Sequence, residues 1–231
     1  MVDFHSHILP GIDDGSKNTE ESAQLLDMLA TQGVSLVMAT PHFYADEQSI
    51  DRFLSKRQEA YERVSSCLKE NHPQIRLGAE VRYYPGISRL EGLERLCIEN
   101  TRVLLLEMPV TRWSKSTVRE VLEIAVSQNL TLVLAHIERY MYLQRAGVFE
   151  ELLYNGVLMQ VNASFFADRL SRRRACKLLE RRGIHLLGSD CHGVHVRPPR
   201  MGEATAIICK KYGEGFLGEM ENFAKDLVSV F

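Results

Sequence analysis

The sequence predicts an α/β fold in which parallel strands alternate with helices. Short, apolar, β-rich runs recur along the chain and helical patterns lie between most of them, an alternation typical of parallel strands joined by crossover helices. The run Thr-Leu-Val-Leu-Ala at 131–135 is almost continuously apolar, as expected of a strand buried on both faces. A length of 231 residues suits a single α/β barrel. A barrel and an open doubly wound sheet both satisfy these observations.

Seven strands are predicted from the short apolar runs. They span residues 2–4, 35–40, 75–79, 103–106, 131–135, 157–161 and 185–188. No linker rich in Pro, Gly or Ser and no internal repeat interrupts the series. Residues 1–231 are therefore expected to form one domain.

The predicted helices carry apolar residues at i, i+3 and i+4 spacing, which places these side chains on one helix face. The positions are Leu25, Leu26 and Leu29; Ile50, Phe53, Leu54, Tyr61, Val64 and Leu68; Val118, Val121, Leu122, Ala125 and Val126; Val148, Phe149, Leu152 and Leu153; and Leu178 and Leu179. Three patterns end at a glycine suited to a left-handed cap, namely Gly33, Gly156 and Gly183. From about Met201 the rest of the chain is expected to be helical.

The composition excludes several classes of function. Apolar residues make up 45% of the chain, and 28 basic residues face 30 acidic ones, so no overall basic field attracts nucleic acid. No stretch approaches the roughly 18 apolar residues of a membrane helix, and a cytoplasmic protein without membrane insertion is expected. Five cysteines without a CxxC pair disfavour a disulfide framework and a thiolate zinc site.

Side chains that bind metals follow nearly every predicted strand. They are His5, His7, His42, Glu80, Glu107, His136, Asn162, Asp190 and His192. Functional groups of α/β barrels gather at the carboxyl ends of the strands, so these side chains are expected to meet in one site. His72, His185 and His195 fall outside the pattern, and the first two are expected to be ordinary surface or strand residues.

This mixture of ligands predicts metal-assisted hydrolysis of a phosphate ester. Imidazoles and carboxylates without thiolates suit manganese, iron, zinc or cobalt, and more than four ligands indicate more than one ion. Asp13 and Asp14 offer a further oxygen ligand from the first loop. Arg139 and Arg197 lie on loops of the same side, and a guanidinium group can bind phosphate oxygens through two hydrogen bonds. Taken singly, each arginine or carboxylate is also compatible with a salt bridge.

Five segments spread over almost the whole chain match a known family. They are DFHSHILPGIDDGS from Asp3, ATPHF from Ala39, GAEVRYYP from Gly78, AHIERY from Ala135 and SDCHGVHVRPP from Ser189. With these segments the chain resembles the polymerase-and-histidinol-phosphatase (PHP) superfamily. Within it, the chain is similar to the bacterial manganese-dependent protein-tyrosine phosphatases of capsule and exopolysaccharide operons.

The resemblance implies a distorted (β/α)7, TIM-like barrel of the PHP fold with three divalent ions. Carried over residue by residue, the ligand sets are His5, His7, Glu80 and Asp190; Glu80, as a bridge, with Glu107 and His136; and Asp14, His42 and His192. Arg139 and Arg197 would be the phosphate-binding catalytic pair. The implied metal is manganese, with iron, zinc, cobalt and magnesium as alternatives. The implied partner is a phosphotyrosine protein, namely the autophosphorylated bacterial tyrosine kinase that controls polysaccharide export.

A different mechanism is suggested by Cys191, which stands in the Cys-x5-Arg spacing of cysteine-dependent tyrosine phosphatases with Arg197. Such a loop needs backbone amides that converge on phosphate and a thiolate of lowered pKa. Here Asp190 is adjacent and Gly193 is the single glycine of the loop, and an anionic neighbour disfavours both thiolate and phosphate. We therefore expect Cys191 not to be a nucleophile.

Two other functions within the same fold remain open. One is a small-molecule phosphomonoesterase, such as a histidinol-phosphate phosphatase, and the other is a non-catalytic PHP module that binds a partner. A polymerase-type exonuclease is disfavoured because the chain lacks basic stretches interleaved with aromatic residues.

Overall fold

A curled sheet of short parallel strands forms the centre of the molecule. The computed structural model describes residues 1–229; the last two residues of the predicted domain and of the predicted terminal helical region lie outside the described residues. In the described part the strands are β1 Val2–Ser6, β2 Leu36–Ala39, β3 His42–Phe43, β4 Gln74–Leu77, β5 Glu80–Arg82, β6 Val103–Glu107, β7 Thr131–Leu134, β8 Leu158–Asn162 and β9 Leu186–Gly188.

Eight α-helices accompany these strands in residues 1–229. They are α1 Thr19–Thr31, α2 Ile50–Ser65, α3 Lys115–Ser127, α4 Val148–Tyr154, α5 Ala163–Ala167, α6 Arg172–Glu180, α7 Met201–Tyr212 and α8 Glu214–Leu227. Asn18, Ser49 and Ser114 cap the first three, because each side chain accepts a hydrogen bond from a backbone N–H of the first turn. Over the same residues, no helix combines the length and apolar character needed to cross a membrane.

The strands pair in two parallel series. β1 pairs with β2 and β2 with β4, while β3, β5, β6, β7, β8 and β9 pair in that order, and all pairs are parallel. The first and last strands also meet: the Asp190 N–H donates to the His5 carbonyl at 2.8 Å, and the His7 N–H donates to the Cys191 carbonyl at 3.0 Å. The expected distorted (β/α)7 barrel is confirmed.

Two of the seven predicted strands are each followed by a second, shorter strand that was not predicted. Between β2 and β3 lies Pro41, which has no N–H to donate to a ladder, and Gly78 and Ala79 separate β4 from β5. His42 and Glu80 therefore begin short second strands, whereas they were expected to follow the first ones. The parallel register places His42 beside Glu80 and Glu80 beside Leu105, so the side chains of His42 and Glu80 share the face of Leu105.

The barrel interior is a separate apolar cluster. It combines Val2, Phe4, Met38, Ile98, Val103, Leu105, Val133, Ala135 and Leu186 with Ala224 and Val228 from the C-terminal helical region. Alternate residues of the same strands, such as Leu104 and Leu106, instead join the layer packed against the other helices. Since α8 contacts β1 near its start, the opposite, carboxyl end of the strands is left for polar groups.

Three details of the helices differ from the sequence-based expectation. The C-terminal helical region is divided at Gly213, which has a φ of 89°. The short helix α5 was not expected. Gly33 and Gly156 have left-handed backbones, as expected, but at the third predicted cap the left-handed residue is Arg182. At Gly183 a Cβ would lie 2.6 Å from Leu178 Cδ1, the end of a flexible side chain that would have to shift to admit a larger residue.

Candidate metal centre

The nine residues of the three implied ligand sets lie together at the carboxyl end of the barrel. They form four overlapping groups in which the ligand atoms lie within 4.8 Å of one another. The groups are His7, Asp14, His42 and His192; His5, His7 and Asp190; His5, Glu80 and His136; and His42, Glu80 and Glu107. The overlaps join the four groups into one cluster. Glu80, His5, His7 and His42 each belong to two groups.

Glu80 lies at the centre of this cluster and is 1% exposed. Its Oε2 atom lies 3.2 Å from His5 Nε2, 3.3 Å from His7 Nε2 and 2.9 Å from His42 Nδ1. Its other oxygen, Oε1, lies 2.7 Å from His136 Nε2. One carboxylate therefore contacts imidazoles from three separate parts of the barrel rim.

Asp190 provides a second buried carboxylate on the side of β9. Its Oδ1 atom lies 3.7 Å from His5 Nε2 and 3.5 Å from His7 Nε2. Its Oδ2 atom accepts a hydrogen bond from Asn162 Nδ2 at 2.6 Å. Asp190 is thus held by a neighbouring strand end while its other oxygen remains directed toward the histidines.

The remaining ligands lie nearer the surface. Asp14 Oδ1 lies 3.4 Å from His42 Nε2 and 3.5 Å from His192 Nε2, and the Asp14 side chain is 68% exposed. Glu107 Oε1 lies 3.6 Å from His136 Nε2. These groups give the cluster an open edge toward solvent.

Arg139 and Arg197 border the cluster on the side of Asp190. Both guanidinium groups contact Asp190 Oδ2, and Arg197 Nη1 also lies 2.9 Å from His192 Nε2. Their side chains are 35% and 40% exposed. The two predicted phosphate-binding residues are therefore adjacent to each other, to the cluster and to solvent.

Burial and the neighbouring charges fix the ionisation of the cluster. Burial alone would lower the pKa of His5, but Glu80 and Asp190 raise it above its ordinary value. Burial would raise the pKa of both carboxyls, but His5 holds them well below their usual range, assisted by His136 at Glu80 and by His7 at Asp190. Both carboxyls are therefore ionised at neutral pH, which is the state that binds a divalent cation.

Hydrogen bonds such as the one between His136 Nε2 and Glu80 Oε1 satisfy only some of the polar atoms of the cluster. Within residues 1–229, Glu80 Oε2, His42 Nδ1 and His136 Nδ1 are buried without a hydrogen-bond partner, although Glu80 Oε2 and His42 Nδ1 are only 2.9 Å apart. The Nε2 atoms of His5 and His7 approach to 3.0 Å. Imidazole nitrogens and carboxylate oxygens that converge in this way are the donor set of transition-metal sites. The residues present fit divalent metal ions.

Two residues that support the ligands were not recognised as such from the sequence. Asp13 Oδ2 accepts hydrogen bonds from His7 Nδ1 at 2.8 Å and from the His42 N–H at 2.9 Å. Gln160 Oε1 accepts from the His136 N–H at 2.7 Å and lies 3.4 Å from His5 Nδ1. Such contacts fix the orientation of an imidazole and, where a ring nitrogen donates, its tautomer. A signal for Gln160 was available, because it is the one polar residue of the predicted strand 157–161; the structure buries it fully.

Three residues of the site have left-handed backbones. The φ angles are 31° at His136, 51° at Asp190 and 55° at Arg197. Residues other than glycine rarely adopt this conformation, and such strained positions cluster at functional sites. The surrounding barrel therefore holds these three side chains in directions that a regular strand or turn would not give them.

Two glycines allow the chain to approach the histidines closely. A Cβ at Gly15 would lie 2.4 Å from the His7 carbonyl oxygen, and a Cβ at Gly188 would lie 2.6 Å from His5 Cβ. Any larger residue would displace the histidine beside it. Two of the three histidines outside the cluster have other partners: His72 Nε2 lies 2.9 Å from Asp27 Oδ1, and His185 Nδ1 accepts from the Met159 N–H.

The barrel and its rim of histidines and carboxylates define the class of the protein as an α/β barrel with a candidate metal centre. The profile of the family described as capsular polysaccharide synthesis, CpsB/CapC, matches residues 1–225. The chain belongs to this family.

Individual relatives cover nearly the whole chain. The tyrosine-protein phosphatase CpsB of Streptococcus pneumoniae is 34% identical over 229 residues, which cover 92% of this chain and 91% of the relative. CpsB of Streptococcus agalactiae serotype V is 32% identical over 231 residues, which cover 93% of this chain and 92% of the relative. A solved structure from work on YwqE of Bacillus subtilis and CpsB of Streptococcus pneumoniae, described as unique metal-dependent tyrosine phosphatases, has a TM-score of 0.84 at 21% identity. The superposition covers 100% of this chain and 96% of the chain in that structure.

Proposed function

We propose that this protein is a metal-dependent protein-tyrosine phosphatase. The observation that carries the proposal is that nine imidazole and carboxylate side chains lie beside two partly exposed arginines at one end of the barrel. Membership of a family whose curated relatives are tyrosine-protein phosphatases supports the same reaction. The substrate is then a phosphotyrosine protein.

The residues that would hold the metal are the nine ligands of the cluster. One ion would be held by His5, His7, Glu80 and Asp190, a second by Glu80, Glu107 and His136, and a third by Asp14, His42 and His192. The first and third sets each share three residues with one group in the structure, whereas Glu107 is grouped there with His42 and Glu80. Bound divalent ions supply Lewis acidity, which lowers the pKa of water and offsets phosphoryl charge. We propose manganese as the metal; the donor set also accepts iron, zinc, cobalt or magnesium.

The protein's own residues would orient the phosphate. Arg139 and Arg197 can each present two N–H donors to phosphoryl oxygens, and both already bind the carboxylate of Asp190. A tyrosine phenolate is a fairly good leaving group, so a dedicated general acid is less important than for an alkyl phosphate. Positive charge at the phosphate is then the main contribution of these two side chains.

The partner we propose is the autophosphorylated tyrosine kinase that regulates capsule or exopolysaccharide export. The description of the family as one of capsular polysaccharide synthesis supports this partner. A cytoplasmic site of action is part of the same proposal, and the five free cysteines are in keeping with a reducing compartment.

Removal of the metal is expected to abolish phosphatase activity. Because Glu80 and the histidines then lack the cation that their atoms converge on, dialysis against a chelator should leave a folded but inactive protein. Activity on a phosphotyrosine peptide should return on addition of manganese. Activity that persists in protein shown to be metal-free by elemental analysis would contradict the mechanism.

Assays of the same manganese-loaded protein on two substrates distinguish a protein-tyrosine phosphatase from a small-molecule phosphatase. We expect a higher kcat/KM for a phosphotyrosine peptide than for histidinol phosphate. The reverse order would identify a small-molecule phosphomonoesterase, and the absence of both hydrolysis and bound metal would identify a non-catalytic module.

Replacing Cys191 with serine is expected to leave activity nearly unchanged. Cys191 is fully buried, and burial raises the pKa of its thiol to about 12, so it is a thiol rather than a nucleophilic thiolate at neutral pH. Turnover of p-nitrophenyl phosphate by Cys191→Ser and by wild type, compared in the same manganese buffer, tests this expectation. A loss as large as that caused by His136→Ala would show that the cysteine takes part in the reaction.

A further inference from the structure

A groove extends from the metal centre toward the start of α6. The groove has a volume of about 420 Å³, with Arg139, Asp190 and Arg197 among its lining residues. Asp168 and Ser171 also line it, at the connection between α5 and α6. A polypeptide that places a phosphotyrosine at the metal centre can therefore run along this groove toward the start of α6.

The segment beyond the groove is strongly basic. Seven of the 28 arginines and lysines of the chain lie between positions 169 and 182, with a single acidic residue, Glu180, among them. Arg169, Arg173 and Arg174 are exposed and lie beside the groove residues Asp168 and Ser171. These three arginines are called the arginine patch below.

The fold itself does not use the charge of the arginine patch. Within residues 1–229, none of its three guanidinium groups has a carboxylate at ion-pair distance; the nearby acids are paired elsewhere, Asp168 with Arg200 and Glu180 with Lys211. Arg174 instead lies over the ring of Tyr142, 5.3 Å from its centroid.

The arginines at the start of α6 are also unfavourably placed for that helix. The first turn of α6 contains three arginines and no acidic residue, and no side chain caps it. Positive charge at a helix N-terminus opposes the helix dipole. An anionic ligand at this place would remove the unfavourable interaction.

We propose that the arginine patch binds acidic residues that flank the phosphotyrosine of the substrate, and so contributes to substrate selection. The inference rests on the proposed function, since it concerns the residues on either side of the phosphotyrosine in the same substrate. Carboxylate and phosphate groups on the polypeptide complement the unpaired guanidinium groups, and the groove gives the flank a path from the metal centre to the patch.

The test compares two synthetic phosphotyrosine peptides of equal length, one with glutamates on both sides of the phosphotyrosine and one with glutamines. The manganese-loaded full-length protein is expected to prefer the glutamate peptide, with an advantage that falls as salt is added. In the variant Arg169→Gln/Arg173→Gln/Arg174→Gln, kcat/KM for the glutamate peptide should fall roughly tenfold, mainly through KM. The glutamine peptide and p-nitrophenyl phosphate should change by less than about twofold.

A matched control removes the same charge elsewhere. Arg52→Gln/Lys56→Gln/Lys225→Gln lowers the net charge by the same amount at exposed positions of α2 and α8, and it should retain the preference of the wild type.

Equal hydrolysis of the two peptides by the wild type, or equal losses in both triple variants, would overturn the inference. Sedimentation of the wild type, but not of the patch variant, with phosphatidylglycerol vesicles in the absence of any peptide preference would assign the patch to a lipid surface and also overturn it. Failure of the wild type to hydrolyse any of the three substrates would instead contradict the proposed function.

Discussion

His7→Ala is expected to lose bound metal and phosphatase activity together while the barrel remains folded. His7 belongs to two of the four ligand groups, and its Nε2 atom lies within 3.5 Å of His5, Glu80 and Asp190. Removal of this imidazole therefore affects more than one ion, and turnover should fall by at least about a hundredfold. Metal content per chain by elemental analysis, turnover of p-nitrophenyl phosphate and far-UV circular dichroism measure the three effects.

His72→Ala is the matched control for this variant. The His72 side chain is 1% exposed, close to the 0% of His7, but its imidazole contacts Asp27 rather than the cluster. The control should lower the melting temperature and leave metal content and turnover unchanged. A His7→Ala protein with full metal content and normal turnover would exclude His7 from the metal centre.

Arg197→Ala is expected to lower turnover by about a thousandfold, by analogy with arginines that stabilise phosphoryl transfer, and to retain the metal. The guanidinium contacts the edge of the cluster at Asp190 and His192, whereas the nine ligand side chains remain in place. Since arginine and alanine both carry a Cβ, the substitution adds no strain at the left-handed φ of 55°. Steady-state kinetics and elemental analysis on the same preparation measure the two properties.

Two variants show which property of Arg197 matters. Arg197→Lys retains the charge without the planar donor pair and should recover only part of the turnover. Arg200→Ala removes a neighbouring guanidinium that is engaged with Asp168 and Glu203, and it should keep nearly full turnover on p-nitrophenyl phosphate. A large loss of metal from Arg197→Ala would show that the residue has a structural role instead.

The alternation of apolar and helical segments was sufficient to predict the barrel, but not its interruptions. The strand at 131–135 was predicted because its apolar run has a strand-like length, and the structure places β7 there. The division at Pro41 depends on how the ladder continues on both sides of a residue without an N–H. The division at Gly213 depends on the packing of the last two helices, which a local apolar pattern does not describe.

The candidate ligands were predicted because parallel strands bring their carboxyl ends together, yet the direction of each side chain needed the structure. Glu107 follows simple alternation, since it lies on the face of Leu105. At His5 alternation fails: Phe4 points into the barrel interior, and the register with β2 shifts between Asp3 and Ser6. A bulge of this kind re-aims a side chain, and the left-handed backbones of His136 and Asp190 do so by a different route. These irregularities arise from tertiary packing, which spacing along the chain does not encode.

The contact between the first and last strands has a consequence for the biogenesis of the enzyme. His5 and Asp190 reach the same site only when β1 has paired with the region after β9, a contact between residues 185 positions apart in the sequence. Such distant pairing forms late, because a long loop must close first. During translation one edge of β1 therefore stays unpaired until the last strand has been synthesised. A nascent chain has no complete ligand set until Asp190 and His192 have left the ribosome. Synthesis itself thus delays the appearance of phosphatase activity until the barrel can close.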